Sequence, residues 1–175
     1  GSFGDHLAGL YRSRYRDGAG VEQFLISTHF EATDARRAFP CWDEPDLKAS
    51  FNITVDAPDG LVVLTNTPEI GREAGADGFT RVRFAGSMVM SSYLVAVVVG
   101  DIGLTVDADA RGVPVRTVCR PDRLPLAAYA NTVGVFTLEW FADYYGIPYP
   151  EQKLDQVAIP DFAAGNAGPA QAAHD

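Results

Sequence analysis

The sequence predicts a mainly β chain that ends in one long helix and a short strand, and three observations carry that prediction. Between Gln23 and Arg120, short runs of alternating apolar residues are separated by Gly- and Pro-rich turns, the pattern of strands with one wet face. After the "PDRLP" break at residues 121–125 the period changes, and apolar residues recur every three or four positions, as on a helix. "KLDQVAIPDF" then reads as a single short strand. A length of 175 residues suits one domain, or one and part of another, and supports a full hydrophobic core.

Taken in order, "FNITV" places Phe51, Ile53 and Val55 on one face and Asn52 and Thr54 on the other, the two-residue period of a half-buried strand. "LVVLTNT", "FTRVRF" and "VPVRTVC" read as further strands, with "APDG" and "GREAGADG" as the turns between them. "SSYLVAVVVG" is a continuous β-branched run, which predicts a central strand covered on both faces. In "LAAYANTVGVFTLEWFADYYG" the residues Leu126, Tyr129, Val133, Phe136, Trp140 and Tyr144 form one stripe. That stripe is expected to face the core. Gly146 is the natural stop, with Pro148 beyond it. The expected organisation is a β domain over residues 1–120, the start of a second domain over 121–165, and a flexible tail over 166–175.

Composition narrows the function classes. The net charge of −9 offers no surplus of cations to displace counterions, which argues against nucleic acid. The longest apolar run, "YLVAVVV", is too short to span a bilayer, and no leader-like segment opens the chain. No membrane association and a cytoplasmic location are therefore expected. Cys41 and Cys119 are the two cysteines; neither has a C-x-x-C neighbour, so reduced, buried thiols are expected in place of a disulfide framework or a thiolate zinc site.

Hydrolytic chemistry has little to work with. His6, His29 and His174 are far apart and none is followed by Glu, so H-E-x-x-H, with two imidazoles on one helix face and a Glu base between them, is absent. No G-x-S-x-G elbow or phosphate loop occurs either. No metal site is expected in this chain. The charged and aromatic residues crowd instead into "STHFEATDARRAFPCWDEPDLKASF", residues 27–51. Its plainest role is a structural plug, in which Asp34, Arg36, Arg37, Asp43 and Glu44 form salt bridges around pins made by Phe39, Pro40 and Trp42. Glu31, next to His29 and Phe30, stands apart as a carboxylate able to hold a ligand's ammonium group.

These residues resemble the M1 family of zinc aminopeptidases. "FEATDARRAFPCWDEPDLKASFNITV" is similar to the family's N-terminal-domain signature, and "LAGLYRSRY", "TNTPE", "FAGSMVMSSYLVAVVVGDI" and "FADYYGIPYPEQKLDQVAIPDFAAG" are similar to consecutive further blocks. The resemblance covers about residues 3–165. It implies a saddle-like antiparallel β-sandwich domain leading into a thermolysin-like α/β domain, with Glu31 binding the α-amino group of a peptide and zinc in the complete enzyme. Three departures limit it. His29 stands where the family has Gln. "GNAGPAQ" keeps Gly165 of the family's G-x-M-E-N loop but loses its Met, Glu and Asn. The zinc motif lies beyond the last residue, and the family's first strands lie before the first. The expected substrate contacts are thus Glu31 with weaker ones at His29 and Gly165, and no catalytic residue. A fragment of an aminopeptidase, inactive alone, is the leading expectation. A non-catalytic peptide- or amine-binding or protein-interaction module, and one half of a split enzyme whose zinc helix another chain supplies, are the alternatives; exposed edges also predict self-association or a complementary chain.

Overall fold

The computed structural model describes residues 7–160. Eleven strands and one long helix occur among them. Strands β1 (Gly9–Arg16), β2 (Glu22–His29), β4 (Val62–Thr65) and β7 (Val97–Gly100) make the first sheet, antiparallel throughout, in the order β1-β2-β7-β4. Strands β3 (Thr54–Pro58), β5 (Glu69–Ala74) and β6 (Phe79–Phe84) make the second, in the order β3-β6-β5. The third contains β8 (Gly103–Leu104), β9 (Ala108–Ala110), β10 (Val113–Cys119) and β11 (Leu154–Val157). Here β10 pairs parallel with β11 on one side and antiparallel with β8 and β9 on the other.

The parallel pair needs a crossover, and α1 (Ala127–Tyr145) supplies it. The third sheet therefore joins a strand before residue 120 to one after it.

The sheets stack because successive valines of one strand point opposite ways. Val99 joins Val63, Ala57, Val82 and Phe84 in the core between the first and second sheets. Its neighbour Val98 joins Tyr15, Leu25, Leu64 and Val118 between the first and third sheets. The β-branched run thus forms a strand covered on both faces, as its composition predicts, although the strand begins only at Val97 because Ser92–Leu94 is a 3-10 turn. A fourth layer is α1, which packs on the third sheet through Ala110, Val115 and Leu138. Mainly β architecture followed by a long helix and a short strand is the observed fold.

Several local expectations differ. The alternation of "FNITV" holds, with Phe51, Ile53 and Val55 half-buried and Asn52 and Thr54 exposed, but ladder pairing starts at Thr54. Half of the expected turn "GREAGADG" is strand β5; this edge strand is exposed, and Glu69–Arg72 and Glu73–Arg83 ion pairs line it where apolar residues would otherwise mark a strand. Strand β1 precedes Gln23 and was not anticipated, though "YRSRYR" alternates buried Tyr11, Ser13 and Tyr15 with arginines.

The largest correction concerns α1. Its expected buried stripe is exposed: Tyr129 is 79% accessible, Phe136 65% and Tyr144 67%. The helix buries Ala127, Gly134 and Leu138 instead. A Cβ on Gly134 would lie 2.2 Å from Gln156 Nε2 and 3.1 Å from Val115 Cγ1. The helix is apolar around most of its circumference, so the face without bulk at Gly134 is the one that can approach the sheet most closely. Gly146 ends it with φ of 66°, the left-handed conformation that glycine adopts without strain.

Candidate functional site

The crowded segment becomes a compact loop that closes one end of the first sheet. Phe30, just beyond β2, is buried with Ala35, Met90 and Val95, and Phe39, Cys41 and Phe51 pack around them. Phe39 meets Phe30 and Phe51 edge to face at centroid separations of 5.9 and 6.1 Å, an arrangement that opposes the positive rim of one ring to the negative face of the next.

Asp43 is the electrostatic centre of this loop. Its carboxylate is buried and accepts hydrogen bonds from the Arg36 backbone N–H at 3.0 Å, the Arg36 guanidinium at 3.0 Å and the Ser92 hydroxyl at 2.9 Å. The same guanidinium also donates to the Asp43 carbonyl at 3.2 Å. Burial alone would raise the Asp43 pKa, but these donors to its ionised form outweigh burial and hold it below the usual carboxylate range. Arg37 pairs with Asp34 at the surface. The plug reading is correct for these four charges and for Phe39. It fails for Trp42, which is 82% accessible: the neighbouring Asp43 takes the interior position, at a φ of 53°, and the indole is left outside. Pro40 is exposed as well.

Glu31 and His29 flank buried Phe30. Glu31 is exposed two residues beyond β2, and among the described residues no donor engages its carboxylate. His29 is half-buried opposite Gly9 at the end of the β1–β2 ladder, with its Nδ1 3.1 Å from the Leu7 carbonyl. One imidazole edge is thus committed to the backbone. Gly165 lies outside the described residues, as do His6 and His174. Ser92, the partner of Asp43, was not singled out in the sequence; it lies 49 residues away.

Among the described residues, no group of three or more His, Cys, Asp or Glu side chains could hold a metal ion. The donor set present does not fit a zinc site. Both thiols are free; Cys119 is buried, and burial with the nearby Asp122 charge pushes its pKa up, away from thiolate chemistry. No helix among the described residues is long and apolar enough to cross a membrane. An apolar concavity of about 530 Å³ lies beside α1, lined by Val133, Leu138, Phe141, Tyr145, Ile147 and Tyr149.

Comparison with known proteins follows this geometry. The family model of the Peptidase M1 N-terminal domain matches residues 1–94. Aminopeptidase M1 of Arabidopsis thaliana is 43% identical over 165 residues, covering 94% of this chain and 18% of that protein. Puromycin-sensitive aminopeptidase of Caenorhabditis elegans is 41% identical over 166 residues, with coverages of 94% and 18%. Endoplasmic reticulum aminopeptidase 1 of Homo sapiens is 39% identical over 165 residues, again with 94% and 18%. The chain spans less than a fifth of the length of these curated relatives.

Proposed function

Because this chain belongs to the M1 peptidase family, we propose that it is the amine-recognising β scaffold, with the first elements of the following domain, of a metallo-aminopeptidase that removes N-terminal residues from peptides. The carrying observation is the 43% identity to an aminopeptidase across 94% of the chain. In this reading Glu31 accepts hydrogen bonds from the peptide's α-ammonium group, its exposure leaving the carboxylate open to a ligand. His29, whose Nδ1 lies 3.1 Å from the Leu7 carbonyl, is the weaker contact of the two.

The 175 residues contain no H-E-x-x-H, so the zinc chemistry belongs to polypeptide outside them. The chain alone is therefore expected to bind but not cleave. Titration with leucine amide followed by NMR should shift the amides around Glu31 with weak affinity, in the millimolar range, and Glu31→Ala should abolish the shifts. Unchanged binding in that variant would remove Glu31 from the site. Zinc-dependent turnover of leucyl- or alanyl-amide by the purified chain would overturn the inactive-alone part. A cytoplasmic location belongs to the same proposal.

The exposed aromatic face of α1 favours a second reading, in which the chain acts through association with a complementary polypeptide or a second copy. Activity appearing on mixing with a chain that carries H-E-x-x-H would support it.

A further inference from the structure

A buried charged cluster lies on the seam between the first and third sheets. Lys153, immediately before β11, is 6% accessible. Its ammonium donates to the Thr65 carbonyl at the end of β4, 2.7 Å away, and to the carboxylate of Asp155. Asp155 in turn accepts two bonds from the guanidinium of Arg116, at 2.7 and 2.9 Å. Arg116 and Asp155 are register partners in the parallel β10–β11 ladder. The third sheet thus supplies Lys153, Asp155 and Arg116, and the first sheet supplies the Thr65 carbonyl.

Burying an ammonium is costly unless it is paired, and an apolar side chain of similar volume would often stabilise the fold as well or better. The apolar contacts of this seam, Val118 and Val157 against Leu64 and Val98, are non-directional and do not select one register of sliding. A hydrogen bond from a charged group to a named carbonyl does. A cavity of about 180 Å³ with mixed polar and apolar walls borders the cluster, lined in part by Asn66, Tyr149 and Glu151.

We propose that Lys153 is a positioning residue that fixes the seat of the β10-α1-β11 unit on the sheet leading to Glu31, and so sets where the chain leaves β11 relative to the candidate amine site. The last clause rests on the aminopeptidase reading; the positional lock does not. Burial lowers the Lys153 pKa despite the Asp155 carboxylate beside it, whereas the bonds from Arg116 and Lys153 outweigh burial at Asp155 and keep it below the usual carboxylate range, so the geometry of the bonds carries the lock.

Two measurements on this chain test the lock. In Lys153→Met, amide exchange at Leu154–Val157 and in β10 should accelerate by about tenfold or more, while β1, β2 and β7 keep their protection and Lys153→Arg restores most of the loss. Spin labels at Asp77→Cys and Thr132→Cys, in a Cys41→Ser, Cys119→Ser background, should give a single narrow distance distribution that Lys153→Met broadens or shifts. A residue that merely adds stability would lower protection evenly across all three sheets and leave the distances unchanged; either result overturns the proposal. If Lys153→Met does not fold, Lys153→Ala, which removes both the donor and the charge and leaves space for water, is judged by the same two readouts. Neither uses a peptide or a metal, so failure here leaves the Glu31 reading intact, and loss of amine binding leaves the lock intact.

Discussion

Asp43 shows how much one side chain organises. Asp43→Asn keeps the shape but removes the charge that gathers Arg36 and Ser92, and should cost about 1–3 kcal/mol in thermal or urea unfolding. The pH sign follows from its lowered pKa: the stabilisation is complete above the unfolded value near 4 and is lost as pH falls from there through the folded value. Acid titration should therefore loosen residues 35–43 only below the ordinary carboxylate range, seen as late NMR shifts at Ala35 and Ser92, and Asp43→Asn should abolish that step. The motif's importance was legible because charges and aromatic rings crowd it. Its geometry was not, because whether Asp43 or Trp42 enters the interior depends on a donor 49 residues away and a left-handed backbone that local sequence leaves open.

At the scale of elements, α1 was legible in extent and stop signal but not in orientation. Periodicity identifies an apolar stripe, and a helix with aromatic residues on several faces has more than one; the choice falls to the position lacking a side chain. Gly134→Leu should therefore destabilise the chain by about 1–3 kcal/mol, since α1 must lift from Val115 and Gln156, measured as a lower Tm with altered amide shifts in β10 and β11. A gain in stability from better helix propensity would refute the close-packing account. Exposed rings of α1 stack on one another, Trp140 on Tyr144 at 4.9 Å and Phe141 on Tyr145 at 5.7 Å. Strand β1 escaped because its arginines disguise the alternation, although the period of two was there to be read.

Across the whole molecule, four layers share cores that local patterns identify strand by strand but cannot assign to partners. The outer layer presents Tyr129, Phe136, Trp140 and Tyr144 to water along one stripe of α1, and an exposed apolar patch is the kind of surface that mediates association. Sedimentation should show reversible self-association of the isolated chain, weakened at least about tenfold by Trp140→Lys with Tyr144→Lys. A strict monomer at high concentration that binds no hydrophobic dye would exclude this face as a contact surface.

The parallel pairing of β10 with β11 also has a consequence in time. Arg116 and Asp155 are 39 residues apart, so their strands meet only after the whole of α1 has been synthesised and a long loop has closed. Until then the β10 edge stands open beside exposed aromatic rings, a combination that invites intermolecular pairing. Strand β11 removes this hazard, and a nascent chain stalled between Tyr145 and Leu154 is the form most dependent on a chaperone.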